Sequence, residues 1–428
     1  MTYAETLDFL FTQLPMYQRQ GAPAMKKNLG NIRKLLDALG KPERRMGKII
    51  HVAGTNGKGT TTHLLAAALQ AQGHRVGVYT SPHYRDFRER MKINGDYISE
   101  AEVVDFVAAN RELIDRVEPS FFEITVAMAF DFFARSRVQW SVVEVGLGGR
   151  LDSTNVVTPV LSVITNIGLD HTQFLGETHA EIAGEKSGII KPGIPVVIGE
   201  RDERTEPVFR RVAGERGAPI YFADEEVSSP SASKSTLRTR ASRPMVELER
   251  MNLGGPHLPT NTRTALAALA TLDQHEYISL ADGDWAAGFY RVKELTNFIG
   301  RWEELPGYPV AVIADSAHNE HGLTGVLNQL RESYSPQLLH FVLGFVSDKD
   351  VRKVLGLFPK EATYHWVRAD IPRALPVEEL ATMGEEAGLR GAVRGSVQQG
   401  LRAAVAAAER TNGTVYVGGS IFVVAEVI

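Results

Sequence analysis

The sequence lacks four features that would each place a protein in a broad class. It has no cysteine among its 428 residues, which excludes disulfides, thiolate zinc sites and cysteine nucleophiles. Its formal net charge is only −4, so it lacks the basic balance of a general nucleic-acid binder. No apolar run approaches the roughly 20 residues of a membrane span, and no signal-peptide pattern opens the chain. We therefore expect a cytoplasmic protein without a nucleic-acid or membrane partner.

Apolar runs rich in Val and Ile alternate with helical patterns along most of the chain. Continuous apolar runs are typical of strands buried on both faces, which predicts an α/β fold with a mostly parallel sheet. The runs of the first part lie at 48–53, 75–80, 140–146, 160–167 and 194–200. A helical pattern at 102–117 lies between two of them. Polar residues that follow such strands are candidates for a site, because ligands bind at the carboxyl ends of parallel strands.

The length suits two domains. A second, smaller series of strand and helix patterns begins near residue 308 and predicts a Rossmann-like domain. The helical pattern breaks shortly before it, and we predict domains at 1–297 and 298–428. The stretch at 225–255, rich in Ser, Thr and Arg, predicts a hairpin or an irregular excursion. Helices are predicted after it at 261–273 and 282–292.

The stretch "HVAGTNGKGTT" at 51–61 has the parts of a phosphate-binding loop between a strand and a helix. Such a loop needs glycines, a lysine, a hydroxyl for magnesium and a helix N-terminus. The sequence supplies Gly54, Gly57, Lys58, Gly59 and Thr60. The spacing departs from the common pattern, since Gly54 stands three residues before Gly57 and Gly59 separates Lys58 from Thr60. A tight turn with an exposed lysine is the alternative, but the context favours phosphate, and ATP as its source.

Further polar residues follow the next strands. Glu144 lies near the end of one predicted strand, and Asp170 and His171 lie just past the next. With Thr60 they could complete a magnesium shell, although magnesium prefers oxygen ligands. On the residues alone, His171 fits either a metal site or a hydrogen-bonded buried position. Lys186 lies in a loop punctuated by Gly and Pro, on the same side of the predicted sheet.

The second domain has a polar cluster of its own. A strand pattern runs into Asp315, Ser316, His318 and Asn319, and Arg301 precedes it. Each of these residues alone could cap a helix. Together, at the ends of successive strands, they predict a wall that faces a ligand.

Taken together, these stretches resemble the folylpolyglutamate synthase family, often bifunctional with dihydrofolate synthase, in the Mur ligase superfamily. The matching motifs run in the family's order from residue 51 to about 350. They are "HVAGTNGKGTTTHLL", "TSPHYRDFRERMKINGDYIS", "EVGLGGRLDSTN", "TNIGLDHTQFLG", "EKSGIIKPGIPVV", "GRWE" and "DSAHN". Any one of them is a weak signal, whereas the set is highly specific.

The resemblance implies an ATP-dependent amide ligase. A carboxylate of dihydropteroate or a reduced folate would become an acyl phosphate, and the amine of L-glutamate would then displace the phosphate. ATP would be bound by residues of both domains, namely Gly54, Asn56, Gly57, Lys58, Gly59, Thr60, Asn261, Arg301 and Asp315. Lys58, Lys186 and His318 would be catalytic. The family expectation is a monomer.

The resemblance also implies two Mg²⁺ ions, with Thr60, Glu144 and His171 as ligands. Lys186 matches a lysine that family members carry as a carbamate near the second ion. A mobile segment would cover the pterin, and the substrate contacts would come from Ser81, Pro82, His83, Arg150 and Asp152.

The chain departs from the family's usual residues at a few positions. Ser316 and Glu320 replace Gly and Pro, Leu258 replaces Gln, and Tyr84 replaces Leu. Tyr84 would change the shape of the pterin pocket, and Leu258 would change how its segment contacts the nucleotide. None removes a proposed phosphate or metal ligand.

Other functions are weaker fits. A ligase of UDP-linked cell-wall precursors usually has a separate UDP-binding domain before the loop, and only about fifty residues precede it here. A P-loop switch or motor would hydrolyse ATP without needing both an acceptor carboxylate and an amine. A binding protein that has lost catalysis would be expected to lack Lys58, Glu144 or His171, and all three are present.

Overall fold

The computed structural model describes residues 1–15, 28–229, 236–239, 245–281, 284–347 and 350–428. The chain forms two compact units. The first comprises Met1–Gly168, Thr172–Asn252 and Pro259–Phe298, and the second comprises Leu169–His171, Leu253–Leu258 and Ile299–Ile428. The division of the chain into domains at 297/298 stays a prediction. In the described part of the chain, no helix is long and apolar enough to cross a membrane.

The first unit contains an eight-stranded sheet in the order β4-β3-β2-β5-β1-β6-β7-β8. Its strands are β1 Lys48–Ala53, β2 Val76–Tyr79, β3 Met91–Ile93, β4 Asp96–Tyr97, β5 Trp140–Glu144, β6 Leu161–Ile164, β7 Val196–Ile198 and β8 Ile220–Phe222. Six strands run parallel, and β3 and β4 add an antiparallel edge. The predicted mostly parallel α/β fold is confirmed.

The register of the central strands decides which residues meet at the carboxyl edge of this sheet. β1 lies between β5 and β6, with Val52 opposite Glu144 and Ala53 opposite Ile164. Three chain segments therefore leave the sheet side by side, after Ala53, Glu144 and Ile164. Every residue of β5 and β6 is buried, which explains why these strands read as continuous apolar runs.

Helices cover the sheet of the first unit. In chain order they are α1 Tyr3–Thr12, α2 Gly30–Ala38, α3 Lys58–Ala71, α4 Glu100–Ala109, α5 Arg111–Val117, α6 Phe121–Arg135, α7 Thr172–Leu175, α8 His179–Ser187, α9 Glu206–Glu215, α10 Ala223–Glu226, α11 Leu258–Gln274, α12 Trp285–Tyr290 and α13 Val292–Thr296. Several begin with a reciprocal Ser/Thr and Glu cap, as Ser120 and Glu123 do for α6. Such caps satisfy N–H groups that the first turn leaves without a helical partner.

Some predicted elements differ from the structure. The helix predicted at 102–117 is broken at Asn110, whose side-chain amide donates to Phe106 O at 2.8 Å and competes with the helical backbone. The described part of 225–255 forms a small sheet in the order β11-β10-β9, from β9 Val227–Ser228, β10 Thr236–Thr239 and β11 Val246–Glu247. The helix predicted at 282–292 is replaced by α12 and α13, and residues 282–283 lie outside the described part.

The second unit contains a six-stranded sheet in the order β12-β13-β17-β14-β15-β16. Its strands are β12 Glu303–Glu304, β13 Val312–Asp315, β14 Leu339–Leu343, β15 Thr363–Arg368, β16 Gly391–Ser396 and β17 Thr414–Gly418. Its helices are α14 Glu320–Ser333, α15 Val351–Leu355, α16 Val377–Glu386, α17 Val397–Thr411 and α18 Ile421–Ala425. Only the β12–β13 pair among these strands is antiparallel. The predicted second α/β series is thus present.

Candidate functional site

A glycine-containing loop joins β1 to α3 at the carboxyl edge of the first sheet. Gly54 has φ 146° and Gly57, the cap of α3, has φ 77°. A Cβ atom on Gly54 would lie 1.8 Å from Thr165 Oγ1, and one on Gly57 would lie 2.1 Å from Asn261 Oδ1. Both positions therefore require glycine, for conformation and for space. These two close approaches account for glycine at both positions, three residues apart.

The same loop is held by the residues that follow β6. Asn56 N donates to Asn166 Oδ1 at 2.9 Å, and Thr165 Oγ1 donates to Asn56 O at 2.6 Å. Thr55 N donates to Asn166 O at 2.9 Å. Thr165 and Asn166 are not among the site residues predicted from the sequence. A signal was present, because this polar pair follows a buried strand directly.

Lys58 and Thr60 lie in the first turn of α3. Lys58 is half-buried, and its Nζ donates to Thr55 O at 3.1 Å. Thr60 is buried. A helix N-terminus carries partial positive charge and unpaired N–H groups. This turn therefore offers an ammonium group, a hydroxyl and N–H donors, which together suit an anion.

Glu144, the last residue of β5, lies beside this turn. It is buried, and its Oε2 accepts a hydrogen bond from Ser81 N at 3.0 Å. A Cβ atom on Gly59 would lie 3.7 Å from the same oxygen. The structure thus brings together a predicted metal ligand, the phosphate loop and the predicted substrate segment at Ser81.

Lys186 was expected in a loop, but it lies in the last turn of α8 and contacts the phosphate loop from there. Its buried side chain donates from Nζ to Gly54 O at 2.8 Å. The preceding residue, Glu185, accepts a hydrogen bond from Arg150 Nη2 at 2.9 Å. Arg150 is more than half exposed. The predicted catalytic lysine therefore lies at the loop, while the predicted substrate residue Arg150 pairs with its neighbour.

The buried carboxylate of Asp152 is bound by its own loop. Its oxygens accept from Leu147 N at 2.8 Å, from Thr154 N at 3.0 Å and from Thr154 Oγ1 at 2.5 Å. Burial raises the pKa of Asp152, although these hydrogen bonds oppose the shift. This geometry shapes the turn at 147–154. The predicted contact of Asp152 with substrate stays a prediction.

The segment after β2 contains the other predicted substrate residues. Ser81 and Pro82 are joined by a cis peptide bond. His83 Nδ1 accepts from Arg90 Nε at 2.8 Å. Burial, with the charge of Arg90, lowers the pKa of His83 to about 3, so its ring is neutral at physiological pH. The Glu89 carboxylate accepts from the N–H groups of the three residues after His83, at 2.6–2.9 Å.

In the second unit, Asp315 at the end of β13 organises the predicted polar wall. Its carboxylate accepts from Trp302 N and Ala317 N, both at 2.8 Å. Arg301 Nη1 donates to Ser316 Oγ. The structure therefore brings Arg301, Asp315 and Ser316 together, while their contact with a ligand stays a prediction.

His318 lies next to this group. Its Nδ1 lies 3.0 Å from Ser316 O, and its Nε2 lies 3.4 Å from Asp170 Oδ2. Asn319 caps α14 and also donates to Asp170 Oδ2, at 3.2 Å. His171 Nε2 lies 3.9 Å from the other oxygen of Asp170. Asp170 and His171 thus belong to the cluster of the second unit.

The predicted metal ligands are divided between the units. Thr60 and Glu144 belong to the first unit and His171 to the second. Over the described residues, no group of three or more His, Asp or Glu side chains is arranged to hold a metal ion. The ligand set that combines Glu144 with His171 stays a prediction.

Two protein-family models match the chain. One is described as the Mur ligase middle domain and matches residues 52–269; the other is described as the Mur ligase, glutamate ligase domain and matches residues 300–421. The first match contains the phosphate loop and β2 to β8, and the second contains β12 to β17.

Known proteins resemble the chain in sequence and in structure. The dihydrofolate synthase/folylpolyglutamate synthase of Bacillus subtilis (strain 168) is 34% identical over 375 residues, which cover 84% of this chain and 85% of the relative. The crystal structure of Mycobacterium tuberculosis folylpolyglutamate synthase complexed with ADP and AMPPCP has a TM-score of 0.86 at 29% identity, covering 99% of this chain and 97% of that one. The crystal structure of the bifunctional folylpolyglutamate synthase/dihydrofolate synthase of Yersinia pestis, complexed with AMPPNP and a Mn ion, has a TM-score of 0.82 at 29% identity. The match covers 100% of this chain and 97% of that one.

Proposed function

The chain belongs to the folylpolyglutamate synthase and dihydrofolate synthase family of the Mur ligase superfamily, and from this premise we propose how its residues carry out the reaction. It is an ATP-dependent ligase that adds glutamate to folates. One observation carries the proposal for the site: the loop shaped by Gly54 and Gly57 lies beside the buried carboxylate of Glu144.

The phosphates of ATP bind to this loop in our proposal. Lys58 and the backbone N–H groups from Gly57 to Thr60 face developing negative charge on the transferring phosphoryl group, while the N–H of Asn56 is bonded to Asn166. Because Thr165 and Asn166 bond to the loop in advance and Asn261 lies against Gly57, these donors need little reorganisation during the reaction. Preorganised donors of this kind are a major source of catalysis in phosphoryl transfer.

The reaction then proceeds in two displacements. A carboxylate oxygen of the folate attacks the γ-phosphorus, ADP leaves, and an acyl phosphate forms. The neutral amine of L-glutamate attacks the acyl carbon, inorganic phosphate leaves, and the amide remains after loss of a proton. The folate is positioned by the segment that contains Ser81, Pro82 and His83 and by the loop that contains Arg150 and Asp152.

Magnesium fits the donors beside this loop. Glu144 presents a buried carboxylate next to the first turn of α3, where Thr60 supplies a hydroxyl, and both are oxygen donors of the kind Mg²⁺ prefers. We propose Thr60 and Glu144 as ligands of a first ion, and Glu144 with His171 as ligands of a second. When bound, the ions neutralise charge on the phosphate oxygens.

A carbamate on Lys186 agrees with the contact that its side chain makes. Carbamylation requires the neutral amine, which attacks CO₂ and loses a proton to give an anion. The nitrogen keeps one N–H, which can still donate to Gly54 O as Nζ does in the structure. The new carboxylate would turn a cation into an anion and so into a metal partner.

The second unit is proposed to supply Arg301, Asp315 and His318 to the nucleotide, while Asn261 acts from the first. Asp170 holds His318 at 3.4 Å, so it orients that ring. The protein acts as a monomer in the cytoplasm in this proposal. Its acceptor is dihydropteroate, a reduced folate, or both.

The function is tested by ADP release from purified protein with ATP, Mg²⁺ and L-glutamate. Dihydropteroate is added to one reaction and tetrahydrofolate to another. Turnover with both identifies a bifunctional synthase, and turnover with one selects the acceptor. Equal ADP release without either pterin would refute the ligase mechanism proposed for this loop.

The carbamate is tested with Lys186→Ala and with ¹³C-bicarbonate. The folded protein without substitutions should show a carbamate carbon in its ¹³C spectrum. The Lys186→Ala protein should lose both this signal and activity. Small carboxylates should restore part of the activity. Lys191→Ala is the matched control, because Lys191 lies in the same segment and donates to Asn155 O. Full activity of Lys186→Ala without rescue would exclude the carbamate.

A further inference from the structure

Lys92 on β3 is a buried lysine with a complete set of acceptors. Only 3% of the residue is exposed. Its Nζ donates to Thr296 O and to Asn297 O, both at 3.0 Å, and lies 3.1 Å from His63 Nε2. A buried ammonium group is costly unless its N–H groups are bonded. Three donors facing three acceptors satisfy this requirement.

The hydrogen bonds fix the protonation of His63. Its Nδ1 lies 2.7 Å from Gly59 O. A carbonyl oxygen only accepts, so Nδ1 carries the proton and Nε2 accepts from Lys92. Burial and the nearby Lys92 ammonium lower the pKa of His63 well below its usual range, so the ring is neutral. The donors therefore run in one direction, from Lys92 through His63 to Gly59.

This series of hydrogen bonds ends at Gly59, which lies in the phosphate loop. Gly59 belongs to the first turn of α3, and its Cα faces the Glu144 carboxylate. The His63 ring is also packed against the ring of Phe298, with 4.6 Å between the ring centroids. His63 is thus held by a hydrogen bond on each nitrogen and by an aromatic ring.

The Lys92 end lies on the last residues of α13. Thr296 ends this helix, and Asn297 follows in a left-handed conformation with φ 52°. A positive charge at a helix C-terminus is favourable, because the last carbonyl groups have no helical partner. A Cβ atom on Gly95 would lie 2.7 Å from Leu295 O, so the β3–β4 hairpin lies directly against this end.

We propose that Lys92 and His63 are positioning residues for the phosphates of ATP. They hold the first turn of α3 against the end of α13, so that the N–H groups around Gly59 keep the orientation that the phosphates need. This role rests on the proposed function, because it requires that the loop binds ATP. Lys92 and His63 lie outside the phosphate loop and act on it through Gly59.

The charge state of Lys92 gives the proposal a pH signature. Burial lowers the pKa of Lys92 to about 8, with Glu89 opposing the shift. Two other groups face the ammonium. One is the neutral His63, and the other is Tyr97, whose ring centroid lies 5.6 Å from Lys92 Nζ. Burial raises the pKa of Tyr97, so it is also neutral. A neutral amine has two N–H groups, so one acceptor loses its donor above about pH 8. We expect nucleotide affinity to fall there.

Stability responds in the opposite direction. The pKa of Lys92 in the folded protein is below the value of 10.5 for a free lysine, so between these values the unfolded chain binds more protons. The contribution of this group to stability therefore rises with pH over that range. A loss of nucleotide affinity there cannot be a by-product of unfolding through Lys92.

The test uses the full chain with Lys92→Met and Lys92→Arg. Binding of ADP and the KM values for ATP and glutamate are measured between about pH 7 and 9.5. Lys92→Met should weaken ADP binding and raise the KM for ATP about tenfold at pH 7, with the KM for glutamate unchanged. Arginine stays charged throughout this range, so Lys92→Arg should lack the alkaline loss of affinity.

Lys48→Met is the matched control. Lys48 also donates to a backbone carbonyl, Tyr277 O at 3.0 Å, and its ammonium lies 5.1 Å from the Trp140 ring centroid. It begins β1, at the edge of the sheet opposite the loop, so its loss should leave ADP binding unchanged.

Two results would overturn the role of Lys92. One is a folded Lys92→Met protein that binds ADP as tightly as the unmodified protein. The other is an ADP affinity of the unmodified protein that stays constant across the same pH range, which decides the matter even where the variant does not fold. A failure of the unmodified protein to release ADP with folate and glutamate would instead refute the proposed function.

Discussion

Replacement of Gly57 by alanine tests the geometry on which the phosphate loop depends. Gly57 has φ 77° and caps the start of α3. A new Cβ atom would lie 2.1 Å from Asn261 Oδ1 and 3.0 Å from its Cγ. The substitution therefore adds backbone strain and also displaces the Asn261 amide from the loop.

The two costs can be estimated separately. An L-residue in the left-handed conformation costs about 1–2 kcal/mol. Crowding the Asn261 amide out of its place adds about 1 kcal/mol, the lower end of the cost of an inserted carbon in a packed site. Gly57→Ala should thus lower the free energy of unfolding by about 2–3 kcal/mol.

Gly73→Ala separates the steric cost from the backbone cost. Gly73 follows the other end of the same helix with φ 84°, and a Cβ atom there meets nothing within 4 Å. Gly73→Ala should therefore lower the free energy of unfolding only by the backbone strain, about 1–2 kcal/mol. Urea unfolding of both variants measures the difference, and the KM for ATP should rise about tenfold for Gly57→Ala alone, which corresponds to about 1.4 kcal/mol.

The reasoning fails if Gly57→Ala and Gly73→Ala lose the same free energy of unfolding and have the same KM for ATP. It would also fail if Asn261→Ala in the Gly57→Ala background recovered none of the extra loss of stability. In either case the Asn261 contact would not shape the loop.

Three further substitutions test other parts of the structure. Lys58→Ala should abolish turnover and lower the free energy of unfolding by no more than about 1 kcal/mol, for the lost bond to Thr55 O. Activity within about tenfold, or about 1.4 kcal/mol of barrier, would exclude its phosphate role. Ser120→Ala removes the cap shared with Glu123 and should cost about 1 kcal/mol in urea unfolding at unchanged KM for ATP; unaltered stability would contradict the cap. Gly384→Ala would place a Cβ 2.4 Å from the Trp366 ring and should cost about 1–3 kcal/mol; an unfolding midpoint equal to that of the unmodified protein would count against this packing.

The parts of the site that the sequence predicts are those carried by a local pattern. Gly54, Gly57 and Lys58 could be recognised because a phosphate loop is a continuous stretch between a strand and a helix. The mostly parallel sheet could be predicted because buried strands have continuous apolar runs. Glu144 could be placed near the loop because both lie at the carboxyl ends of strands.

The parts that the sequence did not predict depend on register or on long-range contacts. Thr165 and Asn166 support the loop only because Ile164 pairs with Ala53. No local sequence pattern predicts that pairing. Lys92 and His63 meet through packing between β3 and α3. The break at Asn110 was missed because an apolar period continues across it, while the competing hydrogen bond involves a single side chain.

The contact between Gly57 and Asn261 has a consequence for how the protein matures. The two residues are roughly 200 positions apart, so the contact closes a long loop of chain. A nascent chain that ends before Asn261 contains β1, β5 and β6, but its phosphate loop lacks the contact with Asn261. Since a ligand stabilises only the state that binds it, ATP should protect the completed first unit and leave such shorter intermediates exposed to proteolysis.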